Sequence, residues 1–156
     1  MSDIERILTE AALQSDCSKI RFGAALIAEN EFILSTGWNH NPRASKGYSC
    51  AAHCVGGIRA GVKSGTCVER CYAVHAEQDA LVNSDRSFRY PPYRVAVLGL
   101  LPDGSLFDNG GGFYCTVCAR LMAAAGVREV TIWTLGKPHT ITIQEAWDQS
   151  YAVATA

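Results

Sequence analysis

The chain has 156 residues, 48% apolar and 19% charged, and its 14 Lys and Arg against 15 Asp and Glu leave a formal net charge of −1. A chain this long buries roughly two thirds of its unfolded surface, enough for one domain over residues 1–156 that needs no disulfides. The balanced charge excludes a disordered charged tail, a polybasic membrane tether and a protein that coats nucleic acid by positive field alone. No stretch reaches the ~18 unbroken apolar residues of a membrane span, and Met1-Ser2-Asp3-Ile4-Glu5 is acidic where a signal peptide is basic. A cytoplasmic chain is expected, and there thiols stay reduced; the seven cysteines are also an uneven number, which argues against full pairing.

In chain order, Ser2 with Glu5 forms a capping box, and Ile4, Ile7, Leu8, Ala11 and Ala12 recur at helical spacing, which predicts an amphipathic helix over about 2–16. Phe22–Ala28 and Phe32–Ser35 read as an antiparallel hairpin, with Asn30 at the positive φ of its turn. From Gly37 to about Val74 there is no clean strand, and four cysteines fall in this glycine-rich stretch; a Cys-rich insertion is expected at about 40–74. A helix follows over His75–Ser84, then a strand Val95–Leu101, a Gly/Asp loop from Asp103 to Gly112, and a helix Cys115–Ala125 closed by Gly126. Val130–Thr134 is a strand and Thr142–Tyr151 a last helix. The order α-β-β-α-β-α-β-α implies a mixed sheet with helices on both faces.

Two short pieces carry the chemistry, His75-Ala76-Glu77 and Cys115-Thr116-Val117-Cys118, each opening a helix. Cysteines at i and i+3 in a first turn point the same way, and the positive helix end favours the thiolates that bind metal. His75 adds a neutral nitrogen. The resulting N,S,S set suits tetrahedral Zn²⁺ with one position left for water, the mark of a catalytic rather than a structural zinc.

H-x-E followed downstream by C-x-x-C resembles the zinc-dependent cytidine and deoxycytidylate deaminase superfamily. Gly37-Trp38-Asn39 extends the likeness, since it resembles the G-[YW]-N segment that deoxycytidylate and tRNA adenosine deaminases carry before the zinc histidine. The resemblance covers roughly residues 1–135 and implies a three-layer α/β/α cytidine deaminase-like fold with a mixed central sheet. It further implies zinc on His75, Cys115 and Cys118, Glu77 as the catalytic proton carrier, and substrate contacts from Asn39 and the Ala76 amide. The long Cys-bearing insertion resembles the deoxycytidylate branch, where some phage-type members hold a second zinc. The candidates here are Cys17, Cys50, His53, Cys54, Cys67 and Cys71, against the simpler reading of reduced or buried thiols.

Two features depart from the pattern: Tyr114 stands where most members have Pro, and the connection holding Asp108-Asn109-Gly110-Gly111-Gly112 is long. Tyr114 has three open roles, to stack on a ring, to narrow the site or to pack. Gly110-Gly111-Gly112 is read as a flexible loop, not a phosphate cradle. Arg43, Lys46, Arg59 and Lys63 are read as solvated, and His40 and His139 as ordinary surface or loop histidines. The expected activity is hydrolytic deamination of a free cytosine nucleotide, dCMP to dUMP, by a homo-oligomer without nucleic-acid or membrane partners. The alternatives are another base (a guanine-type ring, a cytidine or deoxycytidine nucleoside, or tRNA adenosine) and a non-catalytic zinc-stabilised binding module.

Overall fold

In the computed structural model of the chain, which describes residues 1–42, 71, 73–85 and 90–156, Ser2 accepts a hydrogen bond from the Glu5 amide and starts helix α1, Asp3–Ala12. The helix stops short of residue 16, with Leu13 as its C-cap. Strands β1 (Arg21–Ala28) and β2 (Ile33–Trp38) form the expected antiparallel hairpin. Its turn differs from expectation: the positive φ falls on Glu31 (70°), while the Asn30 side chain accepts from the Phe32 amide at 3.2 Å. An Asx-type bond thus replaces the backbone role assigned to Asn30. Strand β2 also continues through Gly37 and Trp38, beyond the expected end at Ser35.

Helix α2 (Ala76–Asn83), strand β3 (Pro92–Leu100), helix α3 (Thr116–Ala124) and strand β4 (Glu129–Thr134) follow in the expected order. Gly126 (φ 95°) ends α3, and the Val127 amide reaches back to the Met122 carbonyl at 3.0 Å. A fifth strand, β5 (Lys137–Thr142), was not expected; it pairs antiparallel with β4 before the last helix, α4 (Ile143–Ala154). Its signal was weak because Pro138 reads as a breaker and only Ile141 of the strand is buried. The two-residue turn sets Leu135 and Gly136 at φ 51° and 74°. Gly136 suits such a turn and Leu135 does not advertise it.

The sheet order is β2-β1-β3-β4-β5, antiparallel except for the parallel pair β3 and β4. Alternation along β1 sorts the two faces. Ala25 and Ile27 pack with Leu8 and Ala12 of α1, whereas Ala24 and Leu26 face Ala76 and Ala80 of α2, Ala119 and Met122 of α3, and Ala146 of α4. This is the expected three-layer α/β/α arrangement. The expected insertion at about 40–74 lies almost wholly outside the described residues, as do Cys50, His53, Cys54 and Cys67.

One glycine fixes where α2 sits. A Cβ on Gly37 would overlap the Ala80 amide and come within 2.6 Å of the Ala76 carbonyl, because the helix backbone rests directly on β2. Gly37→Ala should therefore cost about 3 kcal/mol, from forced separation of helix and strand. Urea denaturation checks this, and a loss under ~0.5 kcal/mol would contradict the direct seating.

Candidate metal centre

His75 is the N-cap of α2 and Cys115 the N-cap of α3, so both donor segments are helix starts. The His75 amide donates to Gln78 Oε1 at 2.9 Å, and the Asp79 amide donates to the His75 carbonyl at 3.0 Å, which closes the first turn of α2. On α3, Cys115 Sγ accepts from the Cys118 amide at 3.4 Å while the Ala119 amide donates to the Cys115 carbonyl at 3.0 Å. The sulfur that would bind metal thus also caps its own helix. Just upstream, the Phe113 amide donates to Gln149 Oε1 of α4 at 2.9 Å, and the Phe113 ring is buried in the core.

The two starts meet. His75 Nδ1 lies 3.2 Å from Cys118 Sγ and 3.3 Å from Cys115 Sγ, and the three donor atoms all fall within 4.8 Å of one another. Zinc at ~2.0 Å from nitrogen and ~2.3 Å from sulfur in tetrahedral geometry separates N and S by roughly 3.5 Å, close to what the triad offers. Two thiolates and an imidazole suit zinc better than a hard cation, and three protein donors leave a fourth position. Among the described residues this is the one group of His, Cys and acidic side chains placed to hold an ion.

A model of the cytidine and deoxycytidylate deaminase zinc-binding region matches residues 2–134. The chain belongs to this deaminase family. It is 30% identical over 125 residues to the deoxycytidylate deaminase of Mycobacterium phage D29, covering 80% of this chain and 86% of that one. Its fold is shared by the crystal structure of dCMP deaminase from the cyanophage S-TIM5 in complex with dCMP and dUMP, with TM-score 0.53 and 20% identity over 96% of this chain and 94% of that one. Cytidine deaminase from Burkholderia pseudomallei shares it as well, with TM-score 0.55 and 16% identity over 94% of this chain and 96% of that one.

The deaminase buries Glu77 beside the three donors, 7% exposed. Burial pushes its carboxyl up from the ordinary range; negative charge on Cys115 adds to this, and His75 opposes it. The two thiols divide one proton between them. A hydrogen bond from Cys118 holds Cys115 down to about 4, and the same bond, with burial, pushes Cys118 well up.

Asn39 is 7% exposed and holds the scaffold. Its Oδ1 accepts from Ser15 Oγ at 2.6 Å and from the Phe22 amide at 2.8 Å, and its Nδ2 donates to the Ile20 carbonyl at 2.9 Å. These three bonds leave one Nδ2 hydrogen for any other partner. Ala76 is the first residue of α2, where a helix cannot bond its own amides, and its methyl is buried in the core. The Tyr114 ring lies against Gly112, where a Cβ would come within 2.6 Å of the phenol oxygen.

His40 is not the ordinary loop histidine that was expected. Its Nε2 lies 2.8 Å from Asp79 Oδ1, and the pair is largely buried. Gln149 and Ser15 were missed as well. Each acts across a long sequence separation on a backbone amide or an amide oxygen, which leaves no local spacing to read.

Zinc needs both sulfurs as thiolates, and Cys118 starts protonated. Adding zinc to the metal-free protein near pH 7 should release at least about one proton per ion. A pH indicator in weak buffer measures this, and binding without proton release would contradict the shared-proton pair.

Proposed function

We propose that the deaminase converts dCMP and water to dUMP and ammonia. The observation that carries this reading is the buried Glu77 beside a converged His75, Cys115 and Cys118 triad. The deoxycytidylate deaminase of phage D29, matched over most of both chains, supports the choice of nucleotide.

His75, Cys115 and Cys118 hold the zinc. When bound, zinc supplies a water acidic enough to attack C4 of the ring at neutral pH. Glu77 takes a proton from the attacking water, delivers it to ring N3, and then assists departure of the amino group as ammonia. Burial pushes the Glu77 carboxyl up in the metal-free site, and bound zinc would oppose that shift and favour the carboxylate able to take the water proton. The Ala76 amide donates to the substrate from the start of α2, and Asn39 offers its remaining Nδ2 hydrogen to the nucleotide. The protein acts as one catalytic domain within a homo-oligomer in the cytoplasm, where its thiol ligands stay reduced. No helix among the described residues is long and apolar enough to cross a membrane.

Ammonia release across dCMP, dCTP, cytidine, deoxycytidine, guanine and a tRNA tests the substrate. A clear preference for dCMP is expected; preference for a nucleoside, guanine or tRNA would overturn the assignment, and zinc without any turnover would favour a binding module. Elemental analysis of the same sample counts zinc per chain, and about one ion identifies the catalytic site alone.

Glu77→Gln should retain zinc and lose turnover by ~10²-fold or more. Turnover within a few-fold of the parent would remove Glu77 from the proton path. Cys115→Ala should lose the metal, and unchanged zinc content would defeat the ligand assignment.

A further inference from the structure

One residue grips both sides of the segment that carries the zinc ligand and the proton carrier. The backbone of His40 forms a two-way bridge with Val74: the His40 amide donates to the Val74 carbonyl at 3.2 Å, and the Val74 amide donates to the His40 carbonyl at 2.7 Å. Val74 immediately precedes His75. The side chain of the same residue reaches past Glu77 to Asp79, with Nε2 2.8 Å from Oδ1, while Nδ1 lies 2.6 Å from the Asn41 carbonyl.

Asp79 is 1% exposed and is fixed from several directions. Its Oδ2 accepts from the Trp38 amide at 3.1 Å and from Asn83 Nδ2 at 3.3 Å, and its own amide holds the His75 carbonyl. Both ring nitrogens of His40 face oxygens, the Asn41 carbonyl and the Asp79 carboxylate. The contact with Asp79 is short and largely shielded from water, so it ties the His40 side chain to the first turn of α2.

We propose that His40 and Asp79 form a clamp that positions His75 for zinc and Glu77 for proton transfer. They act through the backbone at Val74 and through the first turn of α2, and are positioning residues. Groups that orient a metal ligand in this way typically change metal affinity or activity by ~10–100-fold when altered. The inference toward catalysis rests on the proposed dCMP deamination, whereas the inference toward zinc retention does not.

The test compares two amides at position 40. Glutamine places its N–H where Nε2–H stands and can keep the bond to Asp79; asparagine reaches only as far as Nδ1 and cannot. Two quantities are read on zinc-loaded protein: the rate of zinc loss to excess EDTA, and kcat and KM for dCMP. His40→Asn should lose zinc ~10-fold faster and lower kcat ~10-fold with KM within about threefold, while His40→Gln stays within about threefold of the parent in all of these. Equal behaviour of the two variants, either both like the parent or both impaired alike, would overturn the clamp.

If His40→Asn does not fold, by circular dichroism, Asp79→Asn decides the matter: a clamp predicts zinc loss ~10-fold faster and kcat ~10-fold lower with KM within about threefold, and values within about threefold of the parent would overturn it. A parent that holds zinc but does not deaminate dCMP would sink the substrate reading, and the EDTA comparison would still decide the clamp.

Discussion

The metal centre depends on the close approach of α2 to β2. His75 and Cys115 stand 40 positions apart in sequence, a separation that no local rule closes, and they meet only because both helix starts lie on the same face of one sheet. Gly37 allows α2 to come down to backbone contact, and Ala24, its partner across the hairpin, keeps the neighbouring surface low. Ser35, two residues away on the same face, donates its hydroxyl to the Ala80 carbonyl at 2.6 Å, and Asn83 Nδ2 donates to the Thr36 carbonyl at 3.1 Å. The helix is therefore fixed by contact at its start and by hydrogen bonds along its length. Its low amphipathicity as a sequence does not matter, because small buried residues, Ala76 and Ala80, are what a close helix requires.

The fold assembles at this point groups that oppose it. Two thiols, an imidazole and a carboxyl are brought out of water within a few ångströms, and both Glu77 and Cys118 are driven toward their neutral forms as a result. A divalent cation reverses the sign of the local problem, since it stabilises thiolates and a neighbouring carboxylate together. Metal binding then adds to folding stability by mass action, and the apolar packing of Ala119, Met122 and Phe113 around the centre need only hold the helix starts until it does.

Much of this was legible in the sequence because it is local. The Ser2 cap, the β1–β2 hairpin, the C-x-x-C turn and the Gly126 stop each rest on residues within a few positions of one another, and each is present; the reciprocal Glu5 half of the expected capping box is not seen. What escaped is non-local or disguised. Strand β5 is an exposed edge whose Pro138 suits an edge position yet imitates a breaker. His40 was read as a surface or loop residue because Asp79, its partner, lies 39 positions away. Asn39 carried a substrate role by resemblance, and nothing nearby announced that Ser15, Ile20 and Phe22 would engage it first.

These observations change what the stretch from Gly37 to His40 means. Each of its four residues acts on a different part of the molecule: Gly37 seats α2, the Trp38 amide anchors Asp79, Asn39 ties the loop after α1 to the start of β1, and His40 bridges Val74. A contact to substrate from Asn39 is compatible with this work, because an amide already held by three hydrogen bonds presents its last N–H without further loss of rotational freedom. Rigidity is the connection between the two tasks. A side chain that binds a ring beside a metal must not move relative to that metal, and the shortest way to secure this is to build the binding residue into the segment that positions the metal's own helix.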